Sequence, residues 1–365
     1  MAGGRQHGRR NLQGSTGQDK MRTKGLTPEK TASRRGKLAT LSGEERMERK
    51  STVLRKLLKR DDLLFTIWVG TAHQAQLAER IGFPVVGISG SNTSTQILGL
   101  PDAGFITLTE LVENVDRICR AVTLPVIVDC DTGFGNAINV RRTVDSVIRA
   151  GAAGLFMEDQ VAPKRCGFVK GKEIVSLEEA TGKLRAAIDV RNDLDPDFII
   201  MARTDARGAV GGSLEEVIRR GKAYLKAGVD IFYAEALQSR EEIRQVRSAL
   251  EDCWLVVTPH AIDPPLTQKE MQELGLCMAG CHITQIGSVA MYDFLVEFKE
   301  RGIQAYIDFR QKTKNHPLGG FGIFDIAGFP KVVEWEKKYL SPEKLEKYEQ
   351  SLGVYDPRVG HQRKI

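Results

Sequence analysis

Between residues 63 and 286 the chain repeats one unit eight times, a short apolar or β-branched run followed by a stretch of helical periodicity. The runs lie at 63–69, 84–89, 125–129, 154–158, 198–203, 230–235, 254–258 and 282–286. Helical spacing is clearest at 109–122, 139–150, 177–191, 213–227, 239–250 and 288–301, with Ser213 and Glu216 spaced as a capping box. Strands alternating with helices predict parallel pairing, and eight in succession predict a closed (β/α)8 barrel of the TIM type rather than an open sheet. A chain of 365 residues accommodates one such domain with extensions. The expected division is a basic head at 1–43, a catalytic barrel at 44–310 and a helical C-terminal extension at 311–365.

Charge excludes one class of partner once it is located. Residues 1–43 carry ten of the 53 Lys and Arg but two of the 47 Asp and Glu, so the rest of the chain is close to neutral. The head is rich in Gly, Ser, Thr and Arg and lacks an apolar period, which predicts a solvated, disordered extension. Nucleic acid is therefore not an expected partner of the barrel. The chain has no run of about 18 apolar residues and no apolar signal core, so a soluble, cytoplasmic protein is expected. An Arg-rich, acid-poor head also fits a mitochondrial transit peptide or a weak polyanion-binding tail.

The six cysteines follow no pairing rhythm and are expected as free thiols. Cys277, Cys281 and His282 lack a second ligand pair at zinc spacing, and both cysteines are read as core residues.

In (β/α)8 barrels chemistry gathers at the C-terminal ends of the strands. Here those ends read Ser89-Gly90-Ser91, Asp129-Cys130-Asp131, Glu158-Asp159, Arg203-Thr204-Asp205 and Glu235. So many carboxylates around one mouth repel one another unless a cation sits among them. The candidate ligands are all oxygens, which selects magnesium, with manganese as a substitute, over zinc. Asp129 and Asp131 are the expected metal pair. Two residues apart in a strand, they would face one side while Cys130 faces the helices. Glu158 and Asp102 would act through water or from behind the ligands. Asp131-Thr132-Gly133-Phe134-Gly135 lacks the Lys-Ser/Thr of a phosphate loop and is read as a close backbone approach beside the metal.

Five motifs together carry a family resemblance: Gly99-Leu100-Pro101-Asp102, the stretch from Val128 through Asp129, Asp131 and Gly135 to Asn136, Glu158-Asp159-Gln160, Lys164-Arg165-Cys166-Gly167, and Ala202-Arg203-Thr204-Asp205. Over residues 50–310 the chain resembles the isocitrate lyase and phosphoenolpyruvate mutase superfamily. Within it, the chain is similar to the branch of 2-methylisocitrate lyase, 2,3-dimethylmalate lyase and carboxyphosphonoenolpyruvate mutase. The resemblance implies a magnesium site and a last barrel helix exchanged between subunits of a homotetramer, a dimer of dimers. It also implies a small carboxylate substrate gripped at its acid group by Ser89, Gly90 and Ser91, with Gly167 and Glu235 also binding substrate.

In the same resemblance Arg203 steadies the oxygen beside that carboxylate, Glu158 is catalytic, and Cys166, on a mobile gating loop, protonates the carbanion left by C–C cleavage. Lys164 and Arg165 are expected to lower the pKa of the Cys166 thiol.

Three departures bear on the substrate. Phe168 stands where the lyases carry His, Val257 and Pro259 where they carry Asn and Thr, and the neighbourhood of Gly287 where a distal Arg is usual. A smaller or more apolar distal end than that of methylisocitrate is expected, because buried Val and Phe cannot pair a carboxylate. His260 is either a replacement contact or an exposed loop residue. The expected function is magnesium-dependent C–C cleavage of a 2-hydroxy or 2-oxo di- or tricarboxylate. A phosphonomutase, or an oxaloacetate decarboxylase or hydrolase, are the alternatives on this scaffold. The stretch Asn315 to Gly322 and the charged helix that follows are assigned no chemistry beyond subunit packing.

Overall fold

The computed structural model describes residues 48–360 apart from positions 61, 252, 260 and 261. The basic head and His260 therefore lie outside the described residues.

Eight parallel strands form one sheet: β1 Leu64–Val69, β2 Val85–Ile88, β3 Val126–Asp129, β4 Gly154–Glu158, β5 Ile199–Thr204, β6 Ile231–Ala234, β7 Trp254–Val257 and β8 Met278–His282. Their order is β7-β6-β5-β4-β3-β2-β1-β8. The Cys277 amide donates to the Leu255 carbonyl at 3.0 Å, which brings the start of β8 against β7 and nearly closes the barrel. Around it run α1 Lys50–Leu58, α2 Ala72–Ile81, α3 Gly90–Thr93, α4 Leu108–Ala121, α5 Ala137–Arg149, α6 Leu177–Leu194, α7 Leu214–Ala227, α8 Arg240–Ala249, α9 Gln268–Glu273, α10 Ile283–Arg301 and α11 Ile303–Thr313. The fold is the expected (β/α)8 barrel.

Two apolar layers hold it. Outward strand residues such as Val86, Val128, Leu155, Ile200 and Phe232 meet the helices in one continuous core. Inward residues such as Val85, Ile127, Ile199 and Ile231 fill the barrel, where α1 seals the N-terminal mouth with Leu54 and Leu58. Each fully buried aliphatic side chain contributes roughly 1.5–3 kcal/mol by leaving water. The Lys50 ammonium fastens α1 by donating to the Cys119 and Val122 carbonyls, each at 2.7 Å.

Ser and Thr start most of the helices. The Ser213 hydroxyl accepts from the Glu216 amide at 3.2 Å. The Glu216 carboxylate pairs with Arg219 and Arg220 rather than returning to the cap, so the expected box is half formed.

The one misplaced strand is the eighth. Sequence periodicity puts it at 282–286, but residues 283–286 open α10, and β8 is built from Met278-Ala279-Gly280-Cys281-His282. Gly, Ala and Cys carry little strand signal. Pairing with β1 over Leu64↔Met278 to Trp68↔His282 fixes the register instead. Gly280 is required there, because a Cβ would stand 2.5 Å from the Trp68 indole nitrogen and 2.4 Å from the Thr66 carbonyl oxygen. Cys281, expected in the core, is exposed, as is Phe65 on the neighbouring strand. The chain's own helices leave this sector of the barrel bare. None of the six cysteines is joined in a disulfide. Among the described residues, no helix is long and apolar enough to cross a membrane.

Candidate active site

A cavity of about 460 Å³ opens at the C-terminal ends of the strands. Ser89, Ser91, Asp129, Cys166, Gly167, Arg203 and Glu235 all line it. Gly90, Asp131 and Glu158 stand just behind.

The two aspartates converge by a turn, not by the strand pleat. β3 ends at Asp129, and Asp131 adopts a left-handed backbone with φ of 47°. Asp tolerates that region better than most side chains. Cys130 between them is fully buried in the outer core. The chain at Gly90 leaves space in front of both carboxylates: a Cβ would stand 3.0 Å from Asp129 Oδ2 and 3.0 Å from Asp131 Oδ1. The Gly90 amide donates to Asp129 Oδ2 at 3.0 Å, so it orients the aspartate and is not free for a substrate carboxylate. Ser89 caps α3, its hydroxyl accepting from the Asn92 amide at 3.3 Å.

Burial, only partly offset by Lys164, and then the charge of Asp129 raise the Asp131 carboxyl to about 6. Asp131 Oδ1 and both Glu158 oxygens are buried without hydrogen bonds, although each carboxylate has a cation nearby. Two oxygen ligands beside a glycine cradle, with water completing the shell, fit magnesium. Among the described residues no group of three or more His, Cys, Asp or Glu is gathered for a metal.

The chain itself supplies many of the cations its acidic rim requires. Lys164, with its side chain 3% exposed, pairs with Asp102 and lies 3.1 Å from Asp131 Oδ1. Burial opposes its charge, yet Asp129, Glu158, Asp131 and Asp102 together raise its pKa above the ordinary lysine range. Arg203 binds Asp205 through Nε and Nη2 at 2.9 and 3.0 Å and stands 3.3 Å from Glu158 Oε2. Burial pushes the Glu158 carboxyl well up, with Arg203 opposing. Despite burial, Arg203 and then Lys172 hold the Asp205 carboxyl below the usual range. Glu235 accepts from the Thr258 hydroxyl at 2.6 Å.

Asp159 does not face the cavity. It is buried behind β4 and β5, accepting from the Thr204 hydroxyl (2.6 Å), the Asp205 amide (3.0 Å), Arg220 (3.0 Å) and Tyr224 (2.6 Å). Its role is to brace the end of β5, which carries Arg203 and Asp205.

Cys166 sits on the loop between β4 and α6. Its thiol is raised, first by burial and further by Asp102, which outweigh the Phe168 amide and Lys164. This corrects the expected lowering: Lys164 is engaged by Asp102 and Asp131, and Arg165 is exposed. A thiol that stays protonated at neutral pH suits an acid. Gly167 is needed for close approach, since a Cβ would stand 2.7 Å from Arg203 Nη2 and 2.9 Å from Glu235 Oε1.

The cavity floor is aromatic and was not anticipated. Trp68 meets Phe156 edge-on at 5.8 Å and stacks with His282 at 6.0 Å, and the Arg203 guanidinium lies 5.4 Å over the Tyr233 ring. Gly87 and Gly280 flank Trp68, leaving no Cβ in its way. Inward strand positions give no local signal that separates a cavity floor from filler. Of the departures, Phe168, Val257 and Pro259 line the cavity, whereas Gly287 lies beyond it in α10, next to lining residue Ser288.

A parallel-stranded barrel with paired aspartates, an enclosed arginine and a half-buried thiol at its C-terminal rim defines an enzyme acting on small acids. The sequence pattern of the family described as phosphoenolpyruvate phosphomutase matches residues 54–285. The 2,3-dimethylmalate lyase of Eubacterium barkeri is 41% identical over 292 residues, 79% of this chain and 97% of the relative. The 2-methylisocitrate lyase of Aeropyrum pernix is 40% identical over 288 residues, 78% and 89% of the two chains. A phosphonopyruvate hydrolase solved with oxalate and magnesium superposes with a TM-score of 0.71 at 28% identity, over 80% of this chain and all of that one. The chain belongs to the phosphoenolpyruvate mutase and isocitrate lyase family, whose enzymes act on small carboxylic acids.

Proposed function

We propose that this protein is a magnesium-dependent carbon–carbon lyase that cleaves a 2-hydroxy acid of the dimethylmalate or methylisocitrate type and releases pyruvate or a similar 2-oxo acid. The observation that carries the reading is Cys166, a thiol held protonated, lining one cavity with Asp129 and Arg203. Asp129 and Asp131 would hold the metal, which when bound supplies positive charge for the substrate carboxylate and its neighbouring oxygen.

The chain's own groups account for the rest. The Arg203 guanidinium stabilises the C2 oxygen as its proton leaves and its C–O bond becomes a carbonyl. Glu158, its carboxyl pushed up by burial, is the group assigned to hold that proton. The C2–C3 bond breaks with its electron pair staying on C3, and the Cys166 thiol gives C3 a proton. Ser89, Ser91 and Glu235 contact the substrate's polar end, and Gly167 closes the cavity against water. The Trp68, Phe156 and Tyr233 floor, with Phe168 and Val257, favours a distal end smaller or more apolar than a third carboxylate.

Incubation with magnesium and, separately, 2,3-dimethylmalate, 2-methylisocitrate, oxaloacetate and phosphonopyruvate tests this reading. Pyruvate with propionate or succinate as co-product is the expected result. Pyruvate with phosphate or carbon dioxide instead would establish the second reading, phosphonate or oxaloacetate chemistry, which likeness to a phosphonopyruvate hydrolase supports.

A homotetramer built as a dimer of dimers through α10 is also proposed. In this 19-residue helix Thr284 is the one buried residue, while Ile286, Tyr292 and Leu295 are more than 60% exposed. A helix apolar on its outer faces needs cover. Light scattering should give about four times the 40.4 kDa chain mass. A monomer at micromolar concentration would overturn it.

A further inference from the structure

Six residues after Cys166 the chain buries a lysine. Lys172 is 2% exposed, in a residue type that seldom leaves water unless paired. Its ammonium donates to the Gly167 carbonyl at 2.7 Å and to Asp205 Oδ1 at 2.8 Å. The same Asp205 carboxylate holds Arg203 by two bonds. Gly208 keeps the slot open, since a Cβ there would stand 3.1 Å from Lys172 Nζ. The backbone is pinned at the same point, where the Val210 amide donates to the Lys172 carbonyl at 2.9 Å.

One ammonium thus joins the thiol-bearing loop to the arginine opposite. We propose that Lys172 is a positioning residue: by holding the Gly167 carbonyl it keeps the Cys166 loop closed, and through Asp205 it fixes the orientation of Arg203. The inference deepens the proposed function and rests on Cys166 and Arg203 as working groups. The physical reason is the cost of release. Opening the loop at Gly167 removes a charge-assisted hydrogen bond and leaves a buried ammonium with one partner fewer. Closure and guanidinium alignment therefore occur together. A purely structural lysine would stabilise the fold without linking these two groups.

Lys172→Met keeps the alkyl stem and removes the charge. Iodoacetamide labelling of the full-length protein, read peptide by peptide, compares Cys166 with half-buried Cys253, which lies away from α10, as internal standard. Cys166 labelling should accelerate about fivefold or more while Cys253 does not change, as expected when a local opening becomes easier. On the acid that is turned over, kcat should fall about tenfold or more with KM within about twofold. A folded Lys172→Met protein with wild-type Cys166 labelling overturns the proposal.

Should that variant not fold, Lys172→Gln decides. Its amide, one bond shorter than the lysine stem, falls short of the Gly167 carbonyl and returns no charge to Asp205, so Cys166 labelling should accelerate while kcat falls. Unchanged kcat would overturn the link to Arg203. The labelling involves no substrate, so it answers separately from whether the protein is a lyase.

Discussion

Lys164 Nζ stands 3.1 Å from Asp131 Oδ1, so the loop that carries Cys166 ends in contact with the proposed metal pair. One residue, Arg165, separates that lysine from the cysteine in sequence. Events at the aspartates are therefore felt on the loop through a buried, weakly screened contact.

Metal removal should be visible in stability. The Asp131 carboxyl sits at about 6 in the fold against 3.8 ordinarily, so its proton is bound more tightly folded than unfolded. That contribution is complete below 3.8 and is lost as pH rises through about 6. In EDTA, Tm should fall between pH 5 and 7. Magnesium, which binds the carboxylate form, should restore it at pH 7. A Tm indifferent to magnesium at pH 7 would remove Asp131 from the ligand set.

Cys166→Ser should lower kcat by about 100-fold or more and leave KM within about threefold, because the hydroxyl is a far poorer acid. Steady-state kinetics on the cleaved acid check this. Full activity would take the thiol out of the acid role.

The raised Cys166 thiol predicts its own pH profile. A thiol displaced upward by burial stays protonated longer, so the midpoint of the labelling rate against pH should lie above the ordinary thiol value of 9.0. A labelling midpoint below that value contradicts the assigned environment.

Gly167→Ala inserts a Cβ 2.7 Å from Arg203 Nη2. The loop is at the surface, so Tm should move by only a few degrees at most, while kcat/KM falls roughly 10- to 100-fold as the arginine is displaced. Thermal melts and kinetics on the same preparation separate the two effects.

Behind the site, Tyr224→Phe deletes the 2.6 Å bond to Asp159 but leaves that carboxylate Arg220, the Thr204 hydroxyl and the Asp205 amide. Urea unfolding should show a loss of about 1–2 kcal/mol, and kcat should stay within about twofold. A large fall in kcat would mean that the brace reaches Arg203.

Seven strands were legible because β-branched runs bounded by helical periods write their own boundaries. The eighth was not, because Met278-Ala279-Gly280-Cys281 is placed by fitting around Trp68, a contact between the last strand and the first. The rim residues were legible in the same way, as polar ends of apolar strands. Asp129, Arg203 and Glu235 lie at the cavity as that rule expects. Asp159, equally polar and equally terminal, points into the protein, because adjacent positions at the end of β4 diverge.

The sequence by itself determined the barrel, the family and the oxygen-rich chemistry of its rim, since periodicity and ordered motifs are local properties of the chain. Tertiary structure alone decided which charges meet. It set Lys164 against Asp131, Lys172 between Gly167 and Asp205, and Trp68 across the floor, and so raised the Cys166 thiol that its basic neighbours were expected to lower. The physical reason is that burial and Coulomb interaction depend on distances in space, and residues far apart in sequence set those distances.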